Sequence, residues 1–249
     1  MHRFYLPPEN CAGNSLRLDG REAHHALKVL RVKYGELVAV LDGAGNEFLC
    51  TVENCSRDSV TLSVSLKNFK PPPSSQITLL VAIPKGKIIE SIIQKSVELC
   101  AHRIVPVLSE RVVAQLDGES AEHKRGKWQT VAIEAIKQCG AAWLPEIEAP
   151  LTIGQFLARK EKFDLSLVGS LQKERRHPRE VFQEFEKTHG RPPKTVGVWI
   201  GPEGDFTLDE LKMIQDSGAF PISLGRLVLR VETAAIYCLS VLNYELQRD

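Results

Sequence analysis

The sequence predicts an α/β protein in two parts: a small β-rich barrel followed by a larger domain on a mostly parallel sheet. A proline tract divides the chain. In "KPPPSSQ" (70–76) three consecutive prolines fix φ and withhold amide donors, so neither a helix nor a central strand can run through. Before the tract lie short runs rich in Val, Leu and Thr, separated by turn residues. After it, strand-like and helix-like segments alternate, the pattern of a parallel sheet covered by helices. The expected domains are therefore 1–72 and 76–249.

In the first part, "EAHHALKVL" (22–30) reads as a helical patch, and "ELVAVLD" (36–42), "EFLCTVEN" (47–54) and "SVTLSVSL" (59–66) read as strands. Within "VLDGAGNEF" (40–48), Asp-Gly-Ala-Gly looks like a nucleotide-binding loop. Such a loop needs a following helix, and "EFLCTV" is strand-like, so a hairpin turn is preferred. A unit of this size serves more naturally for binding than for catalysis.

Beyond the tract, "ITLLVAI" (77–83) is a strand, and "KIIESIIQKSVEL" (87–99) places Ile88, Ile89, Ile92, Ile93 and Val97 at helical spacing. "RIVPVL" (103–108) is the next strand. A long helix near 121–139 carries Trp128, Val131, Ala132, Ala135 and Ile136 on one face, with Gly140 as its stop. Helix 152–161, strand 164–169, helix 178–188, strand 195–200, a helix from about 208, strand 220–224 and a final apolar helix near 232–247 complete the order.

Composition bounds the function classes. Hydrophobic content of 43% and charged content of 25% suit a globular domain with ample core, and a net charge of +1 neither demands nor excludes a polyanionic partner. No run is apolar enough to span a bilayer and the first residues lack a signal-peptide stretch, so a cytoplasmic protein with no membrane partner is expected. None of the six cysteines forms a C-x-x-C pair. No metal site is expected, and most of the thiols should be small buried hydrophobes. The basic clusters 123–127 and 173–179 read as solvated loops.

The chemistry concentrates at strand ends. "TVGVWI" stops at Gly201-Pro202-Glu203-Gly204, and Thr207 with Glu210 reads as a capping box opening the next helix. A strand also ends at Leu224-Gly225, shortly before Arg230, and another at Val168-Gly169-Ser170. Ligands of open parallel sheets bind beyond the carboxyl ends of strands. Three such loops converging would offer backbone groups, small residues and the polar handles Glu203 and Arg230, a surface suited to a flat, hydrogen-bonding ligand such as an adenine nucleoside. Taken singly, each is also an ordinary strand-to-helix connection.

"WIGPEGDFTLDEL" (199–211) and "SLGRLVLRVETAAI" (223–236) resemble the signature segments of the RsmE-type ribosomal RNA uridine-N3 methyltransferases, of the SPOUT superfamily. "HHALKVLRVKYGE" (24–36), "IPKGKIIESIIQKSVEL" (83–99), "SERVVAQ" (109–115) and "KWQTVAIEAIKQCG" (127–140) match in the same order, so the resemblance covers nearly the whole chain.

The resemblance implies a PUA-like N-terminal barrel that helps hold RNA and a trefoil-knotted α/β domain. It also implies a homodimer, S-adenosyl-L-methionine as methyl donor, and uridine N3 of small-subunit ribosomal RNA, free or in the small ribosomal subunit, as target. Carried over by position, cofactor contacts fall on Gly201, Gly204, Leu224, Gly225 and Leu229, with Gly169 at the third strand end. Arg230 would stabilise the developing anion and Glu203 would accept the proton, or the first would pair with a phosphate and the second cap a helix. His25, Lys28, Arg31, Glu134 and Gln138 fall on RNA-binding positions. For His25 a structural role, and for Glu134 and Gln138 an exposed helix face, stand beside that reading.

Departures from the family pattern gather near the expected site. Asp205 stands in place of a second Gly, Ala141 in place of Arg, Lys137 in place of an acid, Cys100 in place of Gly and Val231 in place of Thr. Arg226-Leu227 has its arginine one place early. A divergent paralogue acting on another RNA site, or a non-catalytic RNA-binding or ribosome-assembly protein, are the alternatives.

Overall fold

A computed structural model describes residues 1–111 and 118–246, and the chain divides into two compact units. Residues 112–115 of the "SERVVAQ" segment and residue 247 of the expected last helix lie outside the described residues.

The first unit contains Met1–Pro72 and Ile133–Leu144. Its elements are β1 (His2–Tyr5), β2 (Ser15–Leu18), α1 (Gly20–His24), β3 (Leu37–Leu41), β4 (Asn46–Cys55) and β5 (Val60–Phe69), forming a sheet in the order β1-β3-β4-β5-β2. β1 lies parallel to β3, and the other pairs are antiparallel. Among the described residues, the edge strands β1 and β2 pair only inward. Each is four residues long, and the small barrel expected takes the form of a curled half-barrel. Phe4, Leu16, Leu18, Val38, Phe48 and Val52 fill its core. The "EAHHALKVL" segment forms α1 and then a wider π-helical turn, His25–Leu30, stopped at Arg31 in left-handed backbone (φ 55°).

The hairpin expected at 42–46 joins β3 to β4. Asp42 Oδ1 accepts the Ala44 N–H (2.8 Å) and the Asn46 N–H (2.9 Å), which closes the turn with a buried carboxylate. Gly45 has φ 95°, and a Cβ there would meet Trp143 Cζ2 at 2.7 Å and Lys70 O at 2.9 Å. Glycine therefore serves this turn twice, for conformation and for space.

The second unit contains Pro73–Ala132 and the chain from Pro145 onward. Its elements are β6 (Gln76–Ala82), α2 (Ile88–Glu98), β7 (Arg103–Leu108), the part of α3 (Gly118–Cys139) before residue 133, β8 (Glu146–Ile147), β9 (Leu151–Thr152), α4 (Ile153–Ala158), β10 (Leu165–Gly169), α5 (Pro178–His189), β11 (Thr195–Ile200), α6 (Leu208–Asp216), β12 (Ala219–Ile222) and α7 (Val231–Leu246). The sheet order is β12-β10-β11-β6-β7-β8, with β9 also on β7, and every pair among these described strands is parallel. The central strands are buried on both faces, as helix-covered parallel strands must be. Trp199 anchors one side of the core with the Phe156 ring edge-on at 5.3 Å.

Residues 133–144, which the sequence assigns to the second domain, cluster with the first. The cause is a set of specific ties. Arg3 Nη1 donates to Lys137 O and Gln138 O, and Trp143 Nε1 donates to Lys70 O (3.0 Å). Lys137 Nζ, its side chain 5% exposed, reaches Glu22 (2.8 Å) and Glu134 (3.0 Å). The four-residue β1 and β2 and the two-residue β8 and β9 also escaped the sequence reading, because such short runs carry no measurable period.

Candidate functional site

β12, β10 and β11 are neighbours, and their carboxyl ends finish together. Gly169 lies opposite Ile222, and Val168 opposite Trp199. The loops leaving these strands line one cleft, with Gly169, Gly201, Glu203, Leu224, Gly225 and Leu229 on its wall. The loops are stitched to one another. Ser170 N–H donates to Ile222 O (3.1 Å), and Ser223 N–H donates to Arg176 O (2.9 Å). Gly225, at φ 114°, makes a backbone turn that other residues rarely adopt, and its N–H donates to Ser223 Oγ (3.3 Å).

The Gly201–Asp205 turn closes with the Asp205 N–H donating to Pro202 O (2.9 Å), which puts Asp205 at φ 63°. A non-glycine residue in left-handed backbone is uncommon, and aspartate is among the types that tolerate it. Its carboxylate is engaged: Oδ1 accepts the Phe206 N–H (2.8 Å) and Oδ2 the Leu171 N–H (3.3 Å). Asp205 thus ties the loop after β11 to the loop after β10. The capping box is present, with Thr207 Oγ1 accepting from Glu210 N and Glu210 Oε2 from Thr207 N (2.9 Å). Glu210 is 2% exposed, and its Oε1 also accepts the Glu110 N–H (2.8 Å). The next residue, Arg111, donates through Nη1 to Gly204 O and Asp205 O.

Two expected site residues stand off the wall. Gly204 carries its carbonyl toward Arg111, and Arg230 lies exposed between the lining residues Leu229 and Val231, with its carbonyl accepting the first-turn Ala234 N–H of α7 (2.8 Å). Leu227, 78% exposed, and Val228, 71% exposed, form an apolar rim. Arg175 lines the cleft although its cluster, 173–179, reads as a solvated loop. Nothing in its spacing marks it; the adjacency of β10 and β12 brings it in.

In the first unit, His25 is half-buried, edge-on to Phe4 at 6.2 Å, while Lys28 and Arg31 are exposed on and just after the π-helical turn. Glu134 binds Arg21 (3.0 Å) as well as Lys137, so it belongs to an ion network, and the Gln138 side chain is exposed. Lys137, pairing with both Glu22 and Glu134, is the centre of that network. Cys11, Cys50 and Cys238 are buried, and burial pushes their thiols up to about 11, 12 and 12. Cys55, Cys100 and Cys139 are exposed, so half of the six thiols, not most, are core residues.

Known proteins resemble the chain along its whole length. The RNA methyltransferase domain family matches residues 70–243, and the RNA methyltransferase PUA domain family matches residues 18–65. A ribosomal RNA small subunit methyltransferase E from Synechocystis is 31% identical over 247 residues, covering 97% of this chain and 77% of the relative. The Bacillus subtilis protein of the same name is 29% identical, covering 92% and 89%. Among solved structures, a Legionella pneumophila protein described as a methyltransferase, in complex with the bound cofactor SAM, superposes with a TM-score of 0.86 at 33% identity, covering 97% and 96% of the two chains. A Neisseria gonorrhoeae ribosomal RNA small subunit methyltransferase E bound to S-adenosyl methionine gives 0.84 at 25% identity, covering 98% and 97%. A cleft built from three neighbouring strand ends, on a chain similar from end to end to these proteins, places this protein in the ribosomal RNA small subunit methyltransferase E family.

Proposed function

We propose that the protein methylates uridine N3 in small-subunit ribosomal RNA, using S-adenosyl-L-methionine bound in the cleft beyond β10, β11 and β12. The convergence of those three loops on one cleft carries the reading. The wall suits the cofactor, offering apolar residues and backbone groups with a few charged side chains.

The bound sulfonium supplies an already activated methyl group, which leaves the chain to bind, orient and exclude water. Leu224 and Leu229 would hold the flat adenosine part, and Gly169, Gly201 and Gly225 would let backbone approach it. Methylation of uracil N3 would require its proton to leave, and an acceptor to take it. Glu203, on the wall and exposed, is assigned to accept it. Arg230, at the mouth between Leu229 and Val231, is assigned to the charge that develops on the uracil oxygens.

The chain runs from β12, at the sheet edge, back to α7, which packs on α2 and beside the central strands β6 and β11. We assign this return path to the trefoil knot of the SPOUT superfamily. Lys28 and Arg31 of the half-barrel are assigned to RNA phosphates. The exposed Tyr237 and Tyr244 of α7 are assigned to a homodimer contact. A cytoplasmic location is part of the same proposal.

Mass-spectrometric mapping of small-subunit RNA with and without the protein tests the function: loss of one N3-methyluridine is expected on deletion. Arg230→Ala should abolish methyl transfer while largely sparing cofactor affinity. An unchanged RNA modification map, or full activity in Arg230→Ala, would refute the target or the role of Arg230 respectively.

A further inference from the structure

Among the described residues, the charged groups on the cleft wall are one guanidinium, Arg175, and two carboxylates, Glu203 and Asp205. S-adenosyl-L-methionine carries the opposite set: one carboxylate, with an ammonium and a sulfonium. A ligand carboxylate approaching this wall meets two like charges and needs one strong cation to hold it.

Arg175 is placed for that. It is half-buried, and its Nη1 donates to Ser170 O at 3.2 Å, which anchors the guanidinium beside the end of β10. Among the described residues this is the only hydrogen bond its side chain makes, leaving most of the five donors of a guanidinium for a ligand. The adjacent Arg176 is committed elsewhere, to Glu184 at 2.6 Å and, through its backbone, to Pro221 O and the Ser223 N–H. Those backbone bonds fix the segment that carries Arg175. A planar guanidinium meets a carboxylate through two parallel hydrogen bonds, a geometry that a lysine lacks.

We propose that Arg175 binds the α-carboxylate of the cofactor's amino-acid tail and is the residue that selects for that group. The inference rests on the cofactor reading above. A backbone phosphate of the RNA is the other anion such an arginine could meet. The position of Arg175 on the cleft wall, tied to the strand end at Ser170, favours the smaller ligand.

Isothermal titration of the full chain with S-adenosyl-L-methionine and with its decarboxylated form, which lacks only the carboxylate, tests this. The parent protein should bind the decarboxylated form about 10- to 100-fold more weakly, the span expected for one charged hydrogen-bonded pair. Arg175→Gln should bind S-adenosyl-L-methionine weaker by a similar factor and should no longer discriminate between the two ligands. Arg175→Lys should recover part of the discrimination. Arg175→Gln with parental melting temperature and parental discrimination overturns the assignment, as does a variant whose cofactor affinity is intact while RNA affinity falls. A parent protein that binds neither ligand refutes the cofactor reading itself.

Discussion

Glu210→Ala isolates what holds the cleft's second loop in place. The carboxylate is 2% exposed and accepts two backbone N–H groups, Thr207 at 2.9 Å and Glu110 at 2.8 Å. Alanine deletes both acceptors but leaves the Glu210 backbone N–H on Thr207 Oγ1. Hydrogen bonds to a charged group contribute about 1.5–3 kcal/mol each. Thr207 is half-buried and Glu110 exposed, so water can partly replace the lost acceptor, and the low end applies to both. The expected loss is about 3 kcal/mol. In a chain of this length each kcal/mol lowers Tm by about 2–4 °C, so a fall of roughly 6–12 °C is expected. Glu210→Gln retains one acceptor oxygen and should lose about half as much. Thermal denaturation followed by circular dichroism reads both variants, with cofactor titration beside it to report on the Gly201–Asp205 turn. A Glu210→Ala melting point within about 1 °C of the parent, or a Glu210→Gln loss as large as that of alanine, would refute the double-acceptor role.

Two further perturbations probe other charges. Lys137→Ala leaves the Glu22 carboxylate, 12% exposed, without its cation, and should cost about 3–5 kcal/mol in urea unfolding; pairing it with Glu22→Leu should recover much of that, and strict additivity of the two losses would refute the coupling. Asp164, held by the Arg191 guanidinium beside it and by the Lys194 N–H, has its carboxyl lowered from 3.8 to about 2. A carboxyl lowered on folding adds stability that is fully present above its unfolded value and is lost as pH falls through the folded one. Asp164→Asn should therefore cost about 1 kcal/mol at neutral pH, as an exposed pair does, with the two proteins' stabilities converging between about pH 4 and pH 2. Melting curves taken across that range check it, and a constant gap down to pH 2 would contradict it.

Local chemistry was legible wherever it acts through near neighbours in the chain. The Asp42–Asn46 hairpin and the Thr207–Glu210 capping box each depend on residues within a few positions of one another. The alternation after residue 76 announced the parallel sheet because helices and strands bury apolar residues with different periods. The short strands at either edge, and the π-helical widening at His25–Leu30, left no comparable trace.

Other features needed distant segments to meet. Arg175 became a cleft residue because β10 pairs with the distant β12 as well as with β11, and Asp205 became a stitch because Leu171 lies beside it. Residues 133–144 joined the first unit because Arg3, Glu22 and Lys70 receive them. The sequence by itself determined the element types, the hairpin and caps, and which strand ends hold small, backbone-exposing residues, since these follow from short-range sterics and hydrogen bonding. Only the tertiary structure decided which strand ends stand side by side and which charges face one another, because strand order depends on how the whole chain buries its apolar surface.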